Sequence, residues 1–196
     1  MTSNKKLPLI IAISGTHGVG KTTLAHALAI KLDIKQRIGL GVVLKTMQIL
    51  ESGNEEIQKW DDYSGCKTEQ DFVKKIHAQC RIMGSIISKI VDKAIKTGEP
   101  YIIDGIQLLP QYLPMSKIKL VALFLNDKDE HKKRYTKPNV TKTRHAVKNN
   151  FETVKDIEKE ILKNIRKYKI PLFESSIGPN LLADLIIKKL KFHRVE

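Results

Sequence analysis

The chain has 196 residues, 41% of them hydrophobic, which is enough for one sizeable α/β core without metal or disulfide support. Lysine and arginine outnumber aspartate and glutamate 35 to 21; the lysines are spread through helical stretches and only 6% of residues are aromatic, which favours a solvated, anion-attracting surface over a dedicated nucleic-acid site. No apolar run is long enough for a signal peptide or a bilayer span, and Cys66 and Cys80 have neither metal-ligand nor redox spacing, so the composition reads as that of a reduced, cytoplasmic protein with no membrane partner.

Residues 9–13, Leu-Ile-Ile-Ala-Ile, are a short apolar run suited to a buried strand. Gly15, Thr16, His17, Gly18, Val19, Gly20, Lys21 and Thr22 follow. They fill every fixed position of G-x-x-x-x-G-K-S/T, the phosphate-cradling loop of P-loop NTPases. Leu24, Leu28 and Leu32 then lie four apart, so a helix starts where the loop ends. The glycines let backbone N–H groups approach an anion, and the helix start adds its own N–H groups and positive dipole end. Lys21 is placed to reach the β- and γ-phosphates of ATP, the Thr22 hydroxyl to bind Mg²⁺, and Thr23 to reach the α-phosphate. His17 occupies a free position of the motif and reads as lining the loop rather than as a catalyst.

Residues 38–44 suggest a second strand, interrupted by Gly39 and Gly41, and residues 45–50 a short helix. Residues 52–67 are polar and turn-rich around Trp60, Asp61, Asp62 and Tyr63. Thr68 and Asp71 form a capping box that opens a long helix. Its stripe is Phe72, Ile76, Cys80, Met83, Ile87, Ile90 and Ala94, and Gly98 ends it. At 1.5 Å per residue it is roughly 40 Å long. A buried strand runs from Tyr101 into Asp104; residues 107–115 read as a loop and 118–125 as another strand. Residues 129–149 are strongly basic. A helix capped by Asn150 follows, with Val154, Ile157, Ile161, Ile165 and Tyr168 as its stripe. Residues 170–173 read as a last strand and 180–191 as a closing helix.

This alternation predicts an α/β fold over residues 1–196 as a single domain. It is a parallel sheet of about five strands covered by helices on both faces, with a basic mobile lid at residues 128–149. Ligands of such sheets bind beyond the carboxyl ends of the strands. Asp104 therefore falls beside the loop, as a candidate for holding Mg²⁺ or for taking a proton from an attacking hydroxyl. The basic segment offers Arg134, Lys137, Lys142 and Arg144 as cations for a transferring phosphoryl group, with arginine the better suited to bidentate contact. The sequence Asn126-Asp127-Lys128-Asp129 has the wrong order for a guanine-reading motif and is treated as coincidence.

With these residues in place, the chain resembles the 2-phosphoglycerate kinase family and its P-loop relatives over residues 11–173. Ile11, Ala12, Ile13, Ser14 and the loop look like that family's opening. Tyr101-Ile102-Ile103-Asp104-Gly105-Ile106-Gln107-Leu108-Leu109-Pro110 is similar to its strand-end segment E/D-G-V-H-x-x-P. Residues 121–127 and 131–135 resemble its next strand and the basic stretch after it, and Arg144 and Phe151 fall where the family has R-Y and N-F. The resemblance implies an ATP- and Mg²⁺-dependent kinase, with Lys21, Thr22, Asp104, Arg134 and Arg144 as the positions to carry over. There are departures. Gln107 stands where the family has histidine. Leu44 and Met47 stand where an aspartate and an arginine would help hold the acceptor. The start of the chain leaves no room for the family's N-terminal regulatory region, which is expected to be missing.

The leading expectation is a kinase that moves the γ-phosphate of ATP to a small, anionic, 2-phosphoglycerate-like acceptor. The acceptor pocket is expected around residues 60–63, the start of the long helix, and Gln107. One alternative is a nucleoside or nucleotide kinase, disfavoured because its Asp-Arg-Tyr/His and Glu-Arg-Ser segments are missing. The other is a nucleic-acid-associated P-loop ATPase, which the basic surface favours. The lack of a guanine-reading motif and of a paired Asp-Glu after the third strand count against it. Oligomeric state and the preference for ATP over GTP are left open.

Overall fold

The computed structural model describes residues 7–136 and 151–192. Five strands form one all-parallel sheet: β1 (Ile10–Ser14), β2 (Gln36–Gly39), β3 (Tyr101–Gly105), β4 (Lys119–Phe124) and β5 (Leu172–Glu174), in the order β2-β3-β1-β4-β5. The central strand β1 carries no polar residue before Ser14 and is buried along its whole length. Side chains alternate across a strand, so one apolar run feeds two cores. Ile10 and Ala12 join Ile103, Leu120 and Ala122 on one face; Ile11 and Ile13 join Ile102, Val121 and Leu123 on the other.

The first face is covered by α2 (Leu40–Leu50), α4 (Glu69–Thr97) and α6 (Phe151–Lys167). The second is covered by α1 (Lys21–Leu32) and α7 (Pro179–Leu190). Two further helices are α3 (Glu55–Gln58) and α5 (Lys128–Thr136). The capping box of α4 is present, with Thr68 and Asp71 each bonding the other's backbone, and Gly98 closes the helix at φ 75°. The long stripe is buried as its spacing requires, with Val91 fully buried beside a half-buried Ile90 that packs against the same core.

Four expectations need correction. The second strand stops at Gly39, and residues 40–44 open helix α2 instead. Leu40 and Leu44 are buried one helical turn apart, while Val42 is 72% exposed. The turn-rich stretch contains α3, capped by the Asn54 side chain, and both Trp60 and Tyr63 are buried in the core. Tyr168 lies beyond the end of α6 and is exposed. The basic segment splits. Residues 128–136 are helical because Asp127 accepts from the amides of Asp129 and Glu130 at 3.0 and 2.9 Å, while Glu130 and Arg134 pair one turn apart. Its remainder, with Lys137, Lys142, Arg144 and the Asn150 cap, lies outside the described residues. Among the described residues, no helix is long and apolar enough to cross a membrane.

Gly84, in the middle of α4, admits a close approach. A Cβ there would meet the Tyr112 carbonyl oxygen at 2.3 Å, where the 3-10 turn Pro110–Tyr112 lies against the helix. Backbone is the obstacle, so no rotamer change relieves it. Gly84→Ala is expected to destabilise by about 1–3 kcal/mol despite alanine's better helix propensity. Urea unfolding with an unchanged midpoint would show that the turn yields instead.

Candidate active site

β1 ends at Ser14 between Gly105 of β3 and Ala122 of β4, which sets the loop at the carboxyl edge of the sheet. Gly15 takes φ 143°, and a Cβ there would stand 2.7 Å from the Leu123 carbonyl oxygen, so only glycine lets the chain leave the sheet at this point. Helix α1 begins behind Gly20 without a side-chain cap and has no acidic residue in its first turn. Its N–H groups and positive dipole end are left for an outside anion. The Lys21 ammonium lies over the loop and donates to the Thr16 carbonyl at 2.6 Å. Lys21, Thr22, Thr23 and the residues from His17 to Gly20 line a cleft of about 410 Å³, which continues past Ser175, Ile177 and Pro179 after β5.

Asp104 near the end of β3 is buried, and its Oδ2 accepts from the Thr22 hydroxyl at 2.8 Å. These two residues are 82 positions apart in the chain, and parallel pairing of β1 with β3 brings them together. A Cβ on Gly39 would come within 3.8 Å of Oδ1, so β2 flanks the other side of the carboxylate with bare backbone. The donor set is oxygen alone. It suits a hard, largely hydrated cation such as Mg²⁺, and the described residues hold no group of three or more His, Cys, Asp or Glu that could cage a metal.

Arg134 on α5 borders the cleft, with Nε on Glu130 at 2.8 Å and Nη1 on the Ser175 carbonyl at 3.0 Å. Sequence reasoning passed over two supports of the loop. The Thr16 hydroxyl donates to the Val154 carbonyl in the first turn of α6 at 3.0 Å. His131 is fully buried, with Nε2 2.7 Å from the His17 carbonyl and Nδ1 3.8 Å from Glu158 Oε1; Lys155 pairs with that carboxylate's other oxygen. Neither support carries a signal in the chain. His131 is one polar residue in a basic run, and Glu158 stands beside the apolar stripe of α6.

A second cavity, about 590 Å³, opens between the start of α4 and α6. Tyr63, Thr68, Phe72, Thr153, Lys159 and Lys163 are among its walls. Thr153 is next to Val154, whose carbonyl holds the loop. Trp60 and Gln107, expected near an acceptor, are buried and do not line it.

Comparison with solved structures decides the architecture. The chain superposes on shikimate kinase from Aquifex aeolicus with a TM-score of 0.54 at 17% identity, covering 93% of this chain and 96% of that one. It matches deoxyadenosine kinase from M. mycoides with bound dATP at 0.54 and 17%, covering 94% and 100%. The fold is that of the P-loop small-molecule kinases. No protein-family model matches the chain. Curated proteins with which this P-loop kinase fold shares sequence include the 2-phosphoglycerate kinases of Pyrococcus furiosus, 23% identical over 185 residues, and of Methanococcus maripaludis, 26% identical over 192 residues. Each alignment covers 87% of this chain but 60% and 61% of the relative, so the chain spans about three fifths of their length.

Burial holds the His131 imidazole below its ordinary value, outweighing the pull of the His17 carbonyl and the Glu158 carboxylate, while Lys155 and Arg134 push the same way as burial. The unfolded chain therefore takes up this proton first as pH falls. The contribution is complete above about pH 6.5 and is lost as pH drops towards the lower folded value. The thermal midpoint is expected to fall between pH 7 and pH 5, and less steeply in His131→Gln. Parallel profiles for the two proteins would contradict this assignment.

Proposed function

We propose that the chain is an ATP- and Mg²⁺-dependent phosphotransferase acting on a small, anionic acceptor of the 2-phosphoglycerate type. The observation that carries this reading is the uncapped start of α1 behind a glycine loop, with Lys21 over the loop and Thr22 bonded to Asp104. The names of the curated relatives support the acceptor class.

In this reading Lys21 exchanges the Thr16 carbonyl for the β- and γ-phosphate oxygens, and the loop amides hold the rest of the chain of phosphates. Thr22 and Asp104 hold the Mg²⁺ site. When bound, the cation offsets charge on the phosphate oxygens. The acceptor hydroxyl oxygen bonds to the γ-phosphorus as the bond to the β–γ bridging oxygen breaks, and ADP leaves. Asp104, the carboxylate bonded to Thr22, is the residue proposed to take the hydroxyl proton. Arg134 contributes positive charge along the cleft, and Arg144 is proposed for the same task from sequence alone.

The cavity between α4 and α6 is the proposed acceptor site. Leu44 is buried and Met47 packs against the core, so neither of these α2 positions offers charge to an anion. That task falls to Lys159 and Lys163 on α6. Lys159 bonds Glu69 at 3.1 Å, and Lys163 lies 3.8 Å from Glu160. Lys159 is paired with the exposed Glu69, which an anionic acceptor would replace at little cost, while Lys163 lies beside the buried Glu160.

Lys21→Ala is expected to lower kcat/KM by at least about 10²-fold while leaving the thermal midpoint unchanged. Asp104→Asn is expected to depress kcat more than the KM for ATP. The assay is transfer from labelled ATP to a panel of phosphorylated glycerates, nucleosides and nucleotides. No transfer to any member, together with no saturable Mg·ATP binding, would refute the reading.

A further inference from the structure

The His131–Glu158 pair lies outside the phosphate-contacting residues, yet it grips the loop that carries them. His131 Nε2 is 2.7 Å from the His17 carbonyl oxygen, so the hydrogen is on Nε2 and the imidazole donates. In a trans peptide the carbonyl of one residue and the N–H of the next point in opposite directions. Anchoring the His17 carbonyl on α5 therefore turns the Gly18 N–H away from α5, to the side of the loop that faces the cleft. The fit behind this peptide is close. A Cβ on Gly18 would come within 3.3 Å of both His131 Cδ2 and Tyr135 Cβ, so α5 packs closely behind Gly18.

The far side of the ring faces Glu158. His131 Nδ1 and Glu158 Oε1 are both buried and lie 3.8 Å apart, too far for a hydrogen bond, and neither has a hydrogen-bond partner among the described residues. Phe151 packs edge-on against the imidazole with ring centres 5.2 Å apart, and Lys155 fixes the other oxygen of Glu158. A buried polar side chain with this much packing has one orientation available. An apolar residue would fill the same space between Phe151 and the loop without leaving Nδ1 buried and unpartnered, but it would give up the hydrogen bond to the His17 carbonyl. The retained polar edge is the one directed at His17.

We infer that His131 is a positioning residue for nucleotide binding: its Nε2–H sets the His17–Gly18 peptide so that the Gly18 amide faces the phosphates, and the packing of Phe151 holds the ring in place. This rests on the reading of the loop as a triphosphate site. It also gives the basic segment a role at its first turns that is independent of lid motion, because α5 holds the cradle in the absence of any closure.

Glutamine and asparagine separate the role from mere packing. The Gln amide nitrogen reaches the place of Nε2, whereas that of Asn stops near Nδ1. Mg·ATP is titrated into the parent chain, His131→Gln and His131→Asn, with the thermal midpoint of each recorded. The expected result is a Kd for Mg·ATP raised at least about tenfold in His131→Asn and within about threefold of the parent in His131→Gln, from a difference of one hydrogen bond to the loop. Glu158→Gln, which can keep Lys155 on its oxygen and offer its N–H to Nδ1, is expected to bind like the parent and gives a second measurement if a position-131 variant does not fold. Equal Kd values for the Asn, Gln and parent proteins, or a tenfold loss in Glu158→Gln, would overturn the inference alone. A parent chain that does not bind Mg·ATP saturably would overturn the triphosphate reading and this inference with it.

Discussion

A loop with positive φ at Gly15, Gly18 and Gly20 has no local reason to keep one shape, because glycine loses more freedom on ordering than any other residue. Its shape is imposed from outside. Thr16 is tied to the first turn of α6, His17 to α5, and Thr22 to the end of β3. Lys21 closes the loop on itself through the Thr16 carbonyl. The first three of these bonds join the loop to three different elements, α6, α5 and β3, so an anion site with several preset N–H groups exists only once the sheet and both flanking helices are assembled. That is electrostatic preorganisation: the donors are oriented by the fold, and the anion does not have to order them.

The sheet makes this assembly possible. β1 lies between β3 and β4, and its apolar residues are split between two cores, each closed by its own helices. A strand buried on both faces cannot shift register without driving its side chains into the wrong layer. Ser14, Gly105 and Ala122 are therefore fixed side by side, and Asp104 is fixed beside the loop. The 29-residue α4 runs along one face and meets α6 at its start, which leaves the second cavity next to the anchor of Thr16.

The acceptor side shows how the chain differs from the family it resembles. Leu44 and Met47 are part of the packing of α2 against the sheet, and Trp60 and Tyr63 are core residues. An apolar wall there moves the available charge to α6.

The sequence by itself determined the strands, the long helix and the loop, because each is written in local terms. The two-faced burial of β1 reads as an unbroken apolar run, α4 as a stripe between a capping box and a glycine, and the cradle as fixed residues between a strand and a helix. It also placed Asp104, since a carboxylate after a buried strand falls at the carboxyl edge of a parallel sheet. It mistook residues 40–44 for strand, where the four-residue spacing of the buried Leu40 and Leu44 belongs to a helix. What only the tertiary structure decided is which distant groups hold the loop. The grip of His131 on His17, the Val154 carbonyl beneath Thr16 and the burial of Trp60 arise from contacts between elements far apart in the chain, and no local pattern of residues encodes a contact of that kind.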